Sequence, residues 1–207
     1  MSAKDMHNPA AFAAMAAELI HSRRTVLPKR LTTPGPDADE LHHILSAAGA
    51  APDHGQLLPW RFVSVVSTQR AVLGDLFVQA LLERDPDATL VQQAQAREKA
   101  FRAPTLLLLI VDAACGDPDI DLTERLISAG CAVQNVLLMA TAMGLGSSLT
   151  SGKALKSASL RSYLQLGADE HAVCFLNLGH VASQREPRRR PEVADYLSVF
   201  GANTDTR

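Results

Sequence analysis

The chain has 207 residues, of which 47% are hydrophobic and 4% aromatic, and its 20 Lys and Arg residues nearly balance its 22 Asp and Glu residues. The apolar content excludes a disordered chain, and the lack of a cationic surplus argues against a general nucleic-acid-binding protein, which must neutralise phosphates. Scarce aromatic residues and abundant Ala and Leu favour helices over a β-sandwich.

The first half of the chain predicts three helices and one strand. Apolar residues recur at helical spacing over residues 9–22, after a frayed terminus. Asp37 followed by Glu40 is the pattern of a capping box for a second helix that ends near residue 48. A strand and a third helix are predicted over 61–67 and 69–84.

The second half predicts two strands that are buried on both faces. The run PTLLLLIVDA, residues 104–113, is apolar without interruption, as expected of a strand covered by helices on both sides. Residues 121–143 are apolar or small almost all the way round a helix, which suggests that a partner subunit covers part of it. The other predicted elements are helices over 92–101 and 155–164, a glycine-punctuated turn over 144–152 that can include a short strand, and a strand over 172–181. Strands separated by helices predict an α/β or α+β sheet with a helical core.

The cysteines and the apolar segments bear on the compartment. Cys115, Cys131 and Cys174 are odd in number and far apart, which argues against a zinc site or a disulfide framework and fits a reducing compartment. Residues 1–22 lack the pattern of a signal peptide, and polar residues interrupt the 121–143 helix, which makes it a poor membrane span. The expectation is a cytoplasmic protein with no membrane contact.

Two arginine-rich segments each allow two interpretations. The segment RRT, residues 23–25, is either a helix end with cations that suit the helix dipole or a phosphate clamp that combines guanidinium forks with a hydroxyl. The segment REPRRRP, residues 185–191, is either a solvated tail or a second set of anion ligands. The residues alone do not decide between these readings.

The glycine-rich segment GLGSSLTSG, residues 144–152, is a weak dinucleotide-binding signal. Its single GxG follows a helix, whereas the dinucleotide fingerprint follows a strand and opens a helix. It is either a helix cap at Gly144 with a turn, or a stretch of backbone that comes close to a flat ligand because glycine has no side chain.

The segment PDHGQLLPW, residues 52–60, places polar groups in a stiff loop. His54 and Gln56 can present hydrogen-bonding groups, although a lone loop histidine is more often ordinary. The proline that follows Leu58 predicts an extended conformation for it, and Trp60 is interpreted as a core anchor.

The usual signatures of hydrolases and metal sites are missing from the sequence. It contains no GxSxG, no HExxH and no nucleophile beside a histidine. Asp112 and Asp117 are near a strand end, but no set of metal ligands surrounds them. The sequence therefore predicts no catalytic side chain and no metal.

In their order along the chain, these segments resemble the nitroreductase family of FMN-dependent oxidoreductases. SRRT resembles the RRS element of that family, and APDHGQLLPWRF is similar to its APS..N.QPW.F element. The stretch from ERLISAG to GSSLTSG resembles its long central helix and glycine turn, FLNLGHV its last core strand, and RRRP its tail. The likeness extends over roughly residues 12–200.

The resemblance implies an α+β, nitroreductase-like fold with a central mixed β-sheet surrounded by helices. It also implies an interlocked homodimer with exchanged ends and two FMN sites at the subunit interface. The chain is then divided into a flexible N-terminus at 1–8, a single FMN-binding domain at 9–200 and a flexible C-terminus at 201–207.

The resemblance also implies which residues bind the cofactors. The residues implied to bind the FMN phosphate and ribityl chain are Arg23, Arg24 and Thr25, and Arg188 and Arg190 are implied to be phosphate ligands from the tail. Those implied beside the flavin are His54, Gln56, Thr150, Ser151 and Gly152. Those implied for NADH or NADPH are Met143, Gly144, Leu145, Gly146 and Ser147.

Two positions depart from the family pattern. Leu27 stands where many members have a cation, and Ala50 stands where a basic residue often precedes the APD segment. Both departures remove positive charge that would favour a reduced flavin. They predict weaker FMN binding or a lower flavin potential than in relatives with those cations.

The function implied by the resemblance is transfer of electrons from NADH or NADPH, through FMN, to a small nitroaromatic, quinone or similar acceptor. Two alternatives are a flavin-binding protein without enzymatic activity and another flavin-dependent reaction, such as dehydrogenation or ring fragmentation, because a fold does not fix a function. The sequence does not choose between NADH and NADPH.

Overall fold

A computed structural model gives the fold of residues 8–183 and 189–201. The helices are α1 Pro9–Ser22, α2 Ala38–Ser46, α3 Arg70–Leu82, α4 Leu90–Glu98, α5 Leu122–Ala142 and α6 Ala158–Tyr163. The strands are β1 Leu31–Thr32, β2 Trp60–Ser64, β3 Thr105–Asp112, β4 Gly146–Thr150 and β5 Glu170–Val181. Short 3₁₀ turns precede or follow several of these elements, among them Lys99–Phe101 and Lys153–Lys156.

The strands form one sheet with the order β1-β5-β3-β2, and β4 also pairs with β5. The four pairings between these strands are antiparallel. Because β1 pairs with residues 180–181 of β5 and β4 pairs with residues 175–179, the two short strands follow each other along one side of β5. An isolated parallel bridge between Thr25 and Ser147 lies at this edge, outside the named strands, whose own pairings are antiparallel.

Helices cover both faces of the sheet because β3 is apolar on both. Its odd-numbered residues from 107 to 111 pack in a cluster with α2 and α5, and its even-numbered residues from 106 to 110 pack in a cluster with α3 and α6. Alternate residues of a strand face opposite sides, so each of the two clusters receives half of the strand. The sequence interpretation of 104–113 as a strand buried on both faces is confirmed.

The central helix α5 lies against the sheet with one face and leaves another face open. Arg125 is only 1% exposed, and it donates to the backbone oxygens of Cys115, Asp117 and Ile120 at 2.6, 2.8 and 2.9 Å. These bonds fix the loop that leads into the helix. By length and by a mean hydropathy of 1.2, α5 would pass as a membrane span, but 44% of that stretch is buried inside the chain, as in a core helix.

The observed elements differ from the predicted ones mainly at their ends. The second strand ends at Ser64 rather than at residue 67, and the predicted helix over 155–164 is a 3₁₀ turn at Lys153–Lys156 followed by α6. The Asp37–Glu40 capping box is present. The two-residue strand β1 has no counterpart in the prediction because two residues are too few to show alternation. The division into termini and a single domain stays a prediction.

Candidate functional site

Three arginines meet where α1 ends. Arg23 is the C-terminal cap of α1, and Arg190 Nη2 donates to the backbone oxygen of Arg23 at 2.7 Å. Burial, and then repulsion by Arg190 and Arg24, lowers the pKa of Arg23. Within residues 8–183 and 189–201, no carboxylate forms a salt bridge with any of the three. Such uncompensated guanidinium groups suit an anion with several oxygens. We call them the arginine cluster.

The residue after the arginine cluster is joined to the sheet edge. Thr25 bridges Ser147 in β4, and the Val26 N–H donates to the Ser147 oxygen at 2.9 Å. The structure therefore brings together RRT and the first part of GLGSSLTSG, which the sequence separates by more than a hundred residues. The Ser147 hydroxyl is buried, and it has no hydrogen-bond partner among the described residues.

The glycine segment over 144–152 is divided between two roles. Gly144 has a φ of +78° and ends α5, so the helix-cap interpretation is confirmed there. Gly146 is packed so closely that a Cβ atom would lie 2.6 Å from Val181 Cγ2 and 2.8 Å from Leu31 Cδ2. Residues 150–152 lie farther on and form part of a cavity wall.

This cavity has a volume of about 790 Å³ and lies between β4, β5 and the α3–α4 region. It is within the range of roughly 300–1,000 Å³ that is typical of small-molecule sites. Pro28 also lines it, so the segment over 23–28 runs from the arginine cluster to the cavity wall. The apolar part of the lining consists of Pro28, Phe77, Leu81, Ala96, Leu106, Ala154, Leu155 and Phe175.

One buried amide orders the β4 side of the cavity. Asn177 is 3% exposed, and its Nδ2 donates to the Ser148 oxygen at 3.2 Å and to Thr150 Oγ1 at 3.1 Å. Of the implied flavin neighbours, Thr150, Ser151 and Gly152 all line the cavity. Sequence reasoning did not identify Asn177, because an asparagine inside an apolar strand carries no ligand-binding pattern by itself.

Cations also line the cavity, and sequence analysis did not single them out. They are Arg84, Lys99, Arg102 and Lys153, against one lining carboxylate, Glu98. They come from three separate parts of the chain. Each is an ordinary surface residue when the local sequence is read alone, so no local pattern could have found them.

The loop at 52–60 is held by a chain of hydrogen bonds. The Leu58 N–H donates to Asp53 Oδ2 at 2.6 Å, Ser128 Oγ donates to Asp53 Oδ1 at 3.4 Å, and Trp60 Nε1 donates to Ser128 Oγ at 3.0 Å. Trp60 packs against the cluster of α2 and α5, which confirms it as a core anchor. The extended conformation predicted for Leu58 is wrong: its φ is +49°, because its N–H is turned back onto Asp53.

His54 forms an ion pair at the start of α5. Its Nδ1 lies 2.6 Å from Glu124 Oε2, and its side chain is 68% exposed. The hydrogen bond to Glu124 and the charge of that carboxylate raise the pKa of His54, with smaller contributions in the same direction from Asp117 and Asp53. Gln56, in the same 3₁₀ turn, has a φ of +53°.

The two halves of the predicted site lie at opposite ends of α5. His54 contacts residue 124 near the start of the helix, whereas the segment that begins at Met143 follows its last residue. At 1.5 Å per residue, the 21 residues of α5 separate them by roughly 30 Å. A single chain therefore does not bring His54 and Gln56 to the arginine cluster.

The structure describes one of the two tail arginines predicted to bind phosphate. Arg188 lies outside the residues that the structure describes, and Arg190, the other tail arginine, lies at the arginine cluster. Within the described parts of the chain, no group of three or more His, Cys, Asp or Glu side chains could hold a metal ion.

Comparison with known proteins identifies relatives that match most of the chain. The profile of the nitroreductase family matches residues 20–180. The protein named "Putative NAD(P)H nitroreductase YdjA" from Escherichia coli K12 is 32% identical over 165 residues, which cover 79% of this chain and 87% of that protein.

Two solved structures have a similar fold. The nitroreductase-like family protein from Bacillus cereus has a TM-score of 0.74 and 20% identity, with 89% of this chain and 95% of that chain covered. A mutant of the FMN- and NADPH-dependent nitroreductase NfnB, from the Sphingopyxis strain HMH, has a TM-score of 0.71 and 21% identity, with 90% and 99% covered.

Proposed function

Because the chain belongs to the nitroreductase family, it is an oxidoreductase, and we propose that it passes electrons from NADH or NADPH through bound FMN to nitroaromatic, quinone or similar acceptors. The observation that carries the proposal is the continuity between the arginine cluster and the cavity. One short segment, residues 23–28, contributes to both.

The residues present fit FMN. The FMN phosphate is an anion that needs guanidinium, hydroxyl or backbone donors, and Arg23, Arg24 and Arg190 form an arginine cluster without a carboxylate partner in the described chain. The isoalloxazine ring is a flat group with apolar edges, and the adjoining cavity offers an apolar lining and polar groups at Thr150 and Asn177.

Bound FMN supplies the redox chemistry, because it can accept a hydride from a nicotinamide cofactor and give electrons to an acceptor. The residues of this chain would bind the cofactor, orient it and shield it from water. The arginine cluster would hold the phosphate, residues 150–152 would contact the ring, and the apolar lining of the cavity would exclude water. This division of labour explains why the sequence shows no catalytic dyad.

We also propose that the working enzyme is a homodimer with sites shared between subunits. Single-chain geometry leaves His54 roughly 30 Å from the segment that follows α5. The chain exposes apolar surface on three elements: α1, which has no buried residue, α5 at Ile127, and the tail at residues 196–200. A second copy that covers these surfaces would bring its own His54 loop to this chain's cavity.

Sedimentation tests the homodimer directly. A dimer at micromolar concentration is the expected result, and a stable monomer with full FMN occupancy would contradict the shared site. The proposal assigns the enzyme to the cytoplasm, where reduced nicotinamide cofactors are available and three free thiols stay reduced.

The colour of the protein tests the proposed function and its alternatives. Protein that is loaded with FMN and then separated from unbound FMN should be yellow, the colour should bleach under anaerobic NADH or NADPH, and a quinone should restore it. A yellow protein that does not bleach would be a passive flavin binder. Bleaching without recovery on any quinone or nitroaromatic would indicate a different flavin reaction.

A further inference from the structure

An asparagine is buried in the apolar strand β5, at the wall of the cavity. Asn177 is 3% exposed, and its neighbours along the strand, Leu176 and Leu178, are fully buried in the cluster with α2 and α5. A buried amide is unfavourable unless its polar atoms form hydrogen bonds. Asn177 Nδ2 donates to the Ser148 oxygen at 3.2 Å and to Thr150 Oγ1 at 3.1 Å, so the amide connects β5 to two residues of β4.

The backbone of β4 fixes the orientation of this amide. The carbonyl oxygen of Ser148 can only accept a hydrogen bond, so the nitrogen of the Asn177 amide and not its oxygen must face it. The opposite orientation would place two acceptor oxygens against each other. The second amide hydrogen of Asn177 is then directed at Thr150 Oγ1, which accepts it.

The hydroxyl proton of Thr150 is therefore free for another partner. A threonine hydroxyl has one proton and two lone pairs, and Asn177 occupies one of the lone pairs. Thr150 Oγ1 donates to no acceptor within residues 8–183 and 189–201. Thr150 is half-buried and lines the cavity, as does Asn177. A ligand in the cavity would meet a hydrogen-bond donor at this position.

We infer that Asn177 is a positioning residue, which sets the Thr150 hydroxyl as a hydrogen-bond donor to the flavin ring and so favours the reduced cofactor. The inference rests on the proposed function, because it concerns FMN in the same cavity. Reduction adds negative charge to the ring, and a hydrogen bond to a charged acceptor is stronger than one to a neutral acceptor. This donor would offset part of the positive charge that Leu27 and Ala50 do not supply.

The test measures the midpoint potential of FMN bound to the full chain, together with the dissociation constants of oxidised and reduced FMN. Thr150→Val removes the hydroxyl, and Thr150→Ser keeps one. Asn177→Leu and Asn177→Ala remove the amide with and without its volume. Thr141→Val is the matched control, because Thr141 Oγ1 donates to the Leu137 oxygen inside α5 and does not line the cavity.

We expect Thr150→Val to weaken the binding of reduced FMN, relative to oxidised FMN, by about three- to tenfold. For a two-electron couple, this change lowers the midpoint potential by about 15–30 mV. Both Asn177 variants should also lower the potential, because the hydroxyl loses the group that orients it. A double variant should equal Thr150→Val alone, since the two side chains act through one hydroxyl. Thr150→Ser and Thr141→Val should keep the potential of the wild type.

Three results would overturn the inference. The first is equal potentials in Thr150→Val and Thr150→Ser, which would show that the hydroxyl does not act on the flavin. The second is a potential unchanged in the Asn177 variants that fold, which would leave Thr150 independent of Asn177. The third is a double variant in which the two effects add. Failure of the proposed function looks different, because the wild type would then bind no FMN, or neither NADH nor NADPH would reduce the FMN that it binds.

Discussion

The two ends of α5 differ in how their polar groups are satisfied. At its start, the loop at 52–60 pairs its own groups: Asp53 accepts from Leu58 and Ser128, and His54 pairs with Glu124. Beyond its end, the arginine cluster and three of the cavity cations, Arg84, Lys99 and Lys153, form no salt bridge with a carboxylate of the described chain, and Ser147 Oγ is buried without a partner there. The polar groups of the first region pair with one another, whereas those of the second include donors that are free to bind an anion.

The largest expected effect follows from removing one guanidinium group of the arginine cluster. Arg23→Ala should weaken FMN binding roughly 10- to 100-fold, because a hydrogen bond to a charged group contributes about 1.5–3 kcal/mol. Fluorescence titration of FMN measures it, with Lys156→Ala as the control outside the arginine cluster. Unchanged FMN affinity in Arg23→Ala would place the phosphate elsewhere.

The next effect concerns the packing that brings RRT to the sheet edge. Gly146→Ala should lower the free energy of unfolding by about 1–3 kcal/mol, since its Cβ would overlap Val181 and Leu31. Denaturation in urea measures the change. Gly49→Ala is the matched control, because a Cβ there would meet nothing within 4 Å, and equal losses in the two variants would contradict the explanation.

A smaller effect tests whether the hydrogen bonds of Asp53 hold the loop at 52–60 in place. Asp53→Ala removes the acceptor for the Leu58 N–H and should cost about 1 kcal/mol of unfolding free energy. Asp53→Asn keeps an acceptor oxygen and should lose less. FMN phosphate binding to the arginine cluster should not change in either variant. If Asp53→Ala and Asp53→Asn were equally stable, the hydrogen bond would not be what holds the loop.

The smallest effect is the pH dependence of the His54–Glu124 pair. The pKa of His54 is raised above its usual 6.5. The stability from the pair is therefore fully present below about pH 6.5, where the unfolded histidine is also protonated, and is lost as the pH rises through the raised pKa of the folded state. NMR titration of His54 should show this pKa, and Glu124→Gln should return it toward 6.5. No change in Glu124→Gln would exclude the pair as the cause.

Local patterns predicted most of the elements. The capping box at Asp37, the apolar run of β3 and the helical repeat over 9–22 all act within a few residues, and each is present in the structure. The conformation of Leu58 was predicted wrongly, because a side chain five residues earlier overrides the preference that the following proline imposes. A contact at that range already lies beyond the local pattern.

The candidate site was predictable only in part. RRT, the His54 loop and the residues over 150–152 stood out because they carry turn and charge patterns that resemble a known family. Lys99, Lys153 and Asn177 did not stand out. A lysine on a polar turn and an asparagine in a strand show no ligand-binding pattern in the local sequence, and only the packing of other segments places them at a cavity. Their common cavity forms where the end of β4 meets the α3–α4 region.

The sequence by itself determined most of the secondary structure, the two-sided burial of β3 and the membership in the nitroreductase family, because these follow from short-range periodicity and from the order of motifs. Only the tertiary structure decided that Thr25 lies beside Ser147, that cations converge on one cavity, and that α5 holds His54 roughly 30 Å from the other half of the site. The physical reason is that the distances between these residues depend on how distant segments pack across one sheet. The energy of that packing is shared among many residues, so no single segment of the sequence determines it.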